Sequence, residues 1–198
     1  MLKAFVTNMG KYNEGCLVGE WVDLPITPAE WQDVLKRIGI DGKLYEEWFI
    51  SDYDIEISGL SDYLSEYSNI SLLNYLASKI ADLSEYEMQL FESALELGEH
   101  TNGICEIIEL IDGMDDAYEY MPDVSNDYDL GYYWIEESGC YDTSALGNLS
   151  RYIDYEAFGR DIYLESNCCC YTSRGYIQLI DDCWCPFDVD DIPEEYRL

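Results

Sequence analysis

Ser71-Leu-Leu-Asn-Tyr-Leu-Ala-Ser-Lys-Ile80-Ala-Asp-Leu-Ser84-Glu-Tyr-Glu-Met-Gln-Leu90-Phe-Glu-Ser-Ala94-Leu-Glu-Leu97 is where the chain settles into a helical period. Leu72, Leu73, Leu76, Ile80 and Leu83 recur at three- and four-residue steps, the spacing that gathers side chains on one face of an α-helix. Ser84-x-x-Glu87 has the form of a capping box that opens a second helix. Along it, at 100° per residue, Leu83, Leu90, Ala94 and Leu97 fall within about 60° of one another, with Glu85, Glu92, Glu96 and Glu99 on the opposite side. A third stripe, Ile104, Ile107, Ile108 and Ile111, turns Glu106 and Glu109 away. The pattern predicts a small helical bundle over residues 58–112 that wears its carboxylates outward.

The residues before it alternate like a small sheet: Leu2 to Asn8, a turn from Gly10 to Gly15, then Cys16 to Asp23. Thr27-Pro28-Ala29-Glu30 supplies an N-cap, a proline at the first helical position and a capping-box glutamate, opening a helix that runs to Gly39. A third strand fits Glu46 to Tyr53, so residues 1–57 read as one small α+β domain. Beyond Asp112-Gly-Met-Asp-Asp116 come a helix from Asp127 through Glu137 and a short helix near Tyr152 to Phe158 closed by Gly159. Strands are expected at Asp161 to Glu165, Cys168 to Tyr171 and Tyr176 to Ile180. Residues 113–181 are thus a second α+β domain, and residues 182–198 an acidic tail or added edge. The expected fold class is α+β: three small domains, two antiparallel-sheet domains flanking a helical bundle.

Forty-two acidic residues against ten basic ones give a net charge of −32, an imbalance usual in disordered chains, yet 48% apolar and 15% aromatic residues argue for folded cores. From Ile80 to Ser150 there is no lysine or arginine, while eighteen aspartates and glutamates occur. Such a single-sign field repels itself and repels nucleic acid and anionic lipid, so its natural partners are basic surfaces. No run approaches the roughly 18 apolar residues of a membrane span and no secretory signal is evident, so a soluble cytoplasmic protein is expected.

The raw material for catalysis is poor. His100, the one histidine, sits in what reads as a solvated interhelical loop, and no G-x-S-x-G, Walker loop or H-E-x-x-H occurs. Cys168 and Cys170, with Cys183 and Cys185, could share strand faces, but the spacing is not that of a zinc ribbon; Cys168, Cys169, Cys170, Cys183 and Cys185 read as reduced thiols. Asp123 to Gly131 alternates oxygen donors but lacks the glycine and terminal glutamate of an EF-hand loop. No enzyme, cofactor or metal is therefore expected. What remains is competition with a polyanion: duplex DNA carries one charge per about 1.7 Å, and two such chains would match at most about 110 Å of it.

Particular residues also carry a resemblance. Phe5-Val-Thr-Asn-Met-Gly-Lys-Tyr-Asn-Glu-Gly15 with Leu17-Val-Gly-Glu-Trp21, then Tyr45-Glu-Glu-Trp-Phe-Ile-Ser-Asp-Tyr-Asp54, Tyr132-Tyr-Trp-Ile-Glu-Glu-Ser-Gly139 and Tyr152-Ile-Asp-Tyr-Glu-Ala-Phe-Gly-Arg-Asp161 resemble the ArdA antirestriction proteins, in family order. The resemblance implies an elongated three-domain homodimer of mobile elements or phages that mimics bent duplex DNA in the DNA-binding groove of type I restriction-modification enzymes. The family's antirestriction motif maps onto Asp127 to Gly139, near the dimer interface. Tyr132, Tyr133 and Trp134 are then interface candidates, with intrachain core as the alternative for Tyr133 and Trp134. The candidate mimic surface is Glu85, Glu92, Glu96, Glu99, Glu106, Glu109, Asp112, Asp115, Asp116, Glu119, Asp123, Asp127, Asp129, Glu136 and Glu137. Arg160 reads as a structural ion pair or cap. The alternative function is an acidic module that sequesters another basic DNA-binding protein, such as a CRISPR effector, histone-like protein or regulator.

Overall fold

Leu2, Ala4 and Val6 alternate inward along strand β1 (Leu2–Asn8), and this strand is the middle of a three-stranded antiparallel sheet. β2 (Gly19–Leu24) sets Val22 opposite Ala4 and Leu24 opposite Leu2, and β3 (Trp48–Ile55) sets Ile50 opposite Val6, so one sheet face is apolar. Between β1 and β2, Met9–Asn13 forms a one-turn helix, α1, where a turn is expected, because the Asn8 side chain accepts the Lys11 amide and starts it. Helix α2 (Pro28–Arg37) begins with the expected capping box between Thr27 and Glu30 and buries Trp31 and Val34. Trp31 meets Trp48 of β3 edge to face at 5.0 Å.

The computed structural model describes residues 1–198, and it is α+β with two such sheets. Two compact units make up the chain: Met1–Ser84 with His100–Asp112 and Trp184–Leu198, and Glu85–Glu99 with Gly113–Cys183. The three helices of the middle segment are α3 (Ile70–Ala81), α4 (Glu85–Leu97) and α5 (Ile104–Ala117). α3 and most of α5 fall in the first unit, whereas α4 falls in the second. The first unit's core includes Leu60, Leu73, Leu76, Ile107, Ile108 and Leu110, each nearly inaccessible. Full burial of such side chains is worth about 1.5–3 kcal/mol apiece.

The C-terminal segment is built into this core instead of trailing from it. Ile192 is 1% exposed, and Tyr75 of α3 stacks on Phe187 at 5.5 Å and lies 5.4 Å from Tyr196. Buried Asn74 donates to the Tyr196 and Ile26 carbonyls and accepts the Ile26 amide, and Leu198 N–H donates to Ser71. A tail rich in carboxylates docks here because Ile192, Phe187 and Tyr196 supply apolar contacts while its acids face outward.

In the second unit, β6 (Gly175–Leu179) is central between β4 (Tyr118–Met121) and β5 (Cys169–Thr172). Tyr176, Met121, Val124 and Leu130 form its core cluster, onto which Tyr133, Trp134, Ile162, Tyr163 and Tyr171 pack. Helix α6 (Asp127–Tyr132) continues as a π-helical turn over Tyr133–Glu137, with Ser138 N–H donating to the Tyr133 carbonyl at 2.8 Å. The strand expected at residues 161–165 is helical: α7 runs Tyr155–Glu165, capped by the Asp154 side chain on the Ala157 amide. Gly159 does not end a helix; it lies inside one. A Cβ on Gly159 would overlap the Asp127 carbonyl oxygen and stand 2.6 Å from the Gly131 nitrogen, while one on Gly131 would overlap the Tyr155 carbonyl oxygen. Glycine, ordinarily about 1 kcal/mol worse than alanine in a helix, is kept so that α6 and α7 can cross backbone to backbone.

Replacing Gly159 with Ala should therefore lower stability by about 1–3 kcal/mol or more despite alanine's better propensity. Leu164→Ala, on the same helix but 73% exposed, should change it by less than about 0.5 kcal/mol. Urea unfolding monitored by tryptophan fluorescence reads both; equal midpoints for the two variants would contradict the close crossing.

Candidate anionic interface

The chain's cations are largely committed to its own acids. Lys3, Lys11, Lys36, Arg37, Lys79 and Arg174 each lie within 4 Å of a carboxylate: Asp23, Glu14, Asp33, Glu20, Asp112 and Glu92 respectively. Arg197 donates instead to the Ile192 and Asp190 carbonyls, and Arg151 to Asn148. Arg160 is exposed and in no ion pair, contrary to the structural pairing expected of it. In the cation-free run, Asp112 meets Lys79 at 2.5 Å and Glu92 meets Arg174 at 2.7 Å.

In the first unit, Glu106 accepts the Asn102 amide and side chain, and the backbone bond above all holds its carboxyl below the usual range. Asp112 is exposed beside Lys79. Glu109 is turned inward, with a side chain only 10% exposed: one oxygen lies 2.6 Å from His100 Nε2 and the other accepts the Phe187 amide. His100 is accordingly no solvated loop residue. Its ring stacks on Trp184 at 4.3 Å and is mostly covered. The aromatic partner, 84 positions along the chain, is what the local loop sequence conceals.

In the second unit, the glutamate face of α4 does not point wholly to solvent. Leu90 through Leu95 are all buried, because this helix lies against β5 and β6 and covers both its apolar stripe and part of its acidic one. Glu92 is 5% exposed and receives Arg174 Nε, so it is removed from the open surface. Glu96 is exposed yet accepts Ser173 N–H and Oγ from the β5–β6 turn. Glu85, Glu99, Asp115, Asp116 and Asp123 are exposed, and Glu119 is half-buried with its carboxyl pushed up by burial.

Around α6 the acids are fixed by donors. Asp129 accepts Ser125 N–H and Oγ and the Asn126 side chain; Asp127 accepts the Tyr171 hydroxyl at 2.8 Å. Glu136 accepts the Tyr155 hydroxyl at 2.6 Å, and Glu137 is exposed. Tyr133 and Trp134 pack partly buried on the core cluster, whereas Tyr132 is exposed. Tyr128, outside the expected interface set, is exposed and stacks with Tyr132; the i,i+4 spacing of the two is the signal in the sequence.

Burial, with neighbouring carboxylates, keeps several thiols and phenols protonated. Burial first, then Glu99, pushes the Cys168 thiol up to about 11, and burial with Glu96 does the same for Cys170, again to about 11. The hydrogen bond to Glu136 pushes Tyr155 up to about 12, and burial followed by Asp127 raises Tyr171 further. All eight cysteines are free, and the acid-and-thiol group close enough to share an ion is the exposed set Asp181, Asp182 and Cys183.

Raised folded-state pKa values mean that the native state holds these protons longer than the unfolded chain. The stabilisation from Cys168 and Cys170 is therefore complete below their ordinary value of 9.0 and lost as pH rises through about 11; that from Tyr155 is lost between 10.0 and about 12. The urea midpoint should fall steadily above pH 9, and Cys168→Ser with Cys170→Ser should blunt the early part of that fall. Rapid reaction of both thiols with a disulfide reagent at pH 8 in the folded protein would contradict this.

The protein-family model described as antirestriction protein (ArdA) matches residues 4–178. No curated protein matches the chain.

Proposed function

The chain belongs to the ArdA family of antirestriction proteins, and from that membership we propose that it acts as a duplex-DNA mimic on type I restriction-modification enzymes. The observation that carries the reading is the fate of the charges. Seven of the forty-two carboxylates lie within 4 Å of a lysine, an arginine or the N-terminal ammonium and Glu109 lies against His100, so a large exposed set stays available to a basic partner. Proteins that grip DNA draw much of their affinity from lysines and arginines that displace counterions from phosphates. Exposed carboxylates such as Glu85, Glu99, Asp115, Asp116, Asp123, Glu136 and Glu137 would engage the same cations and exclude DNA without any chemical step. Homodimerisation would lengthen the mimic. Glu92 and Glu109 fall out of the proposed track, since the first is spent on Arg174 and the second on His100 and Phe187.

Calorimetric titration of a purified type I enzyme with this protein tests the reading. Affinity should fall as salt rises, because exchange of solvated charges is screened over about 8 Å at physiological ionic strength. The double change Asp115→Asn and Asp116→Asn should weaken binding about 2- to 5-fold per carboxylate at low salt and reduce the salt slope. Tight binding with no salt dependence would count against mimicry.

A further inference from the structure

Beside the exposed tyrosines of α6, the second unit holds a cavity of about 430 Å³. That lies inside the roughly 300–1,000 Å³ range of small-ligand sites. Its wall is aromatic and anionic together: Tyr128, Tyr132 and Tyr133 line it with Asp123, Asp129 and Glu137, and no lysine, arginine or histidine does. Chain geometry produces this mixture. Tyr128 and Tyr132 stand one turn apart on α6, Tyr133 and Glu137 one turn apart on its π-helical continuation, and Asp123 follows β4. Asp129 is held in place by Ser125 and Asn126, while Asp123 and Glu137 are exposed and stand outside every ion pair of the chain.

Such a lining selects its ligand by charge and shape. A phosphate or carboxylate would be repelled by three like charges, and a neutral ligand would gain hydrogen bonds from them but no charge attraction. An organic cation is attracted both by the carboxylates and by the tyrosine rings. Guanidinium suits the wall better than ammonium. It is planar, less strongly hydrated, able to lie on a ring face, and presents in-plane N–H groups to carboxylates. We infer that this cavity receives the guanidinium group of an arginine side chain presented by a protein partner. The inference rests on the proposed function only for the partner's identity; the affinity for guanidinium belongs to the cavity itself. It would give the mimic a point of fixed register within an otherwise diffuse electrostatic contact.

The test uses the full chain with ring-labelled tyrosine, titrated in the NMR tube with N-acetyl-arginine amide and, separately, with its uncharged isostere N-acetyl-citrulline amide. Saturable shifts at Tyr128, Tyr132 and Tyr133 are expected with the arginine compound alone. Asp123→Asn and Glu137→Gln, both exposed and so expected to fold, should each weaken that binding about 2- to 5-fold, the worth of one exposed cation–π contact or ion pair. Equal shifts with both compounds, or no saturable shift, would overturn the inference. So would ligand-independent broadening of the three signals as protein concentration rises, since the face would then belong to a second copy. Inhibition of restriction by the same variants separates the two readings. Arginine binding without exclusion of DNA would remove the type I target and leave the cavity, and exclusion of DNA without arginine binding would do the reverse.

Discussion

Mutual repulsion among carboxylates is the constraint to which every other part of this structure answers. With so few acids paired to a cation, two small cores must hold a chain of net charge −32 together. Self-repulsion of this kind opposes compaction, while hydrophobic burial of a few tens of side chains supplies the opposing term. The arrangement of the acids lowers the cost. Thr27 with Glu30, Asn126 with Asp129 beside Ser125, and Asp154 at the start of α7 place carboxylates at helix N-termini, where backbone amides and the helix dipole favour negative charge.

The second device is economy of cations. Lys79 meets the exposed Asp112, while Arg174 is placed at Glu92, whose side chain is buried against packed structure. A buried lone carboxylate costs several kcal/mol, so a single arginine there has more effect than one at the surface. Tyrosine hydroxyls serve a few others: Tyr45, Tyr155 and Tyr171 donate to Glu14, Glu136 and Asp127 without cancelling their charge. Nineteen tyrosines in 198 residues therefore have a physical use, since each can bury a ring and still offer a donor to the anionic exterior.

Much of the fold was legible because its signals are local. The capping box at Thr27–Glu30, the alternation of Leu2 to Asn8 and the helical stripe from Leu72 to Leu83 each state their own structure. The helix at Asp127 was equally visible, with only its π-helical end hidden. Gly159 misled because glycine has two uses that look alike in sequence, ending a helix or letting another backbone approach it, and only the Gly131 crossing tells them apart. Glu92 looked solvated because its partner Arg174 lies 82 positions away. Trp184 and Phe187 likewise gave no hint that they would seat the tail against His100 and Tyr75. The acidic surface was thus readable in composition and period, but which of its members remain open depended on contacts distant in sequence.

Exclusion of DNA by a competing anionic surface is the central claim, and equilibrium competition addresses it directly. Fluorescently labelled duplex bearing the recognition sequence would be titrated with the DNA-recognition complex of a type I enzyme at several fixed concentrations of this protein. Mutually exclusive binding requires the apparent dissociation constant for duplex to rise in proportion to the protein's concentration, with no ternary species. An unchanged constant, or a complex that holds duplex and protein together, would contradict the account.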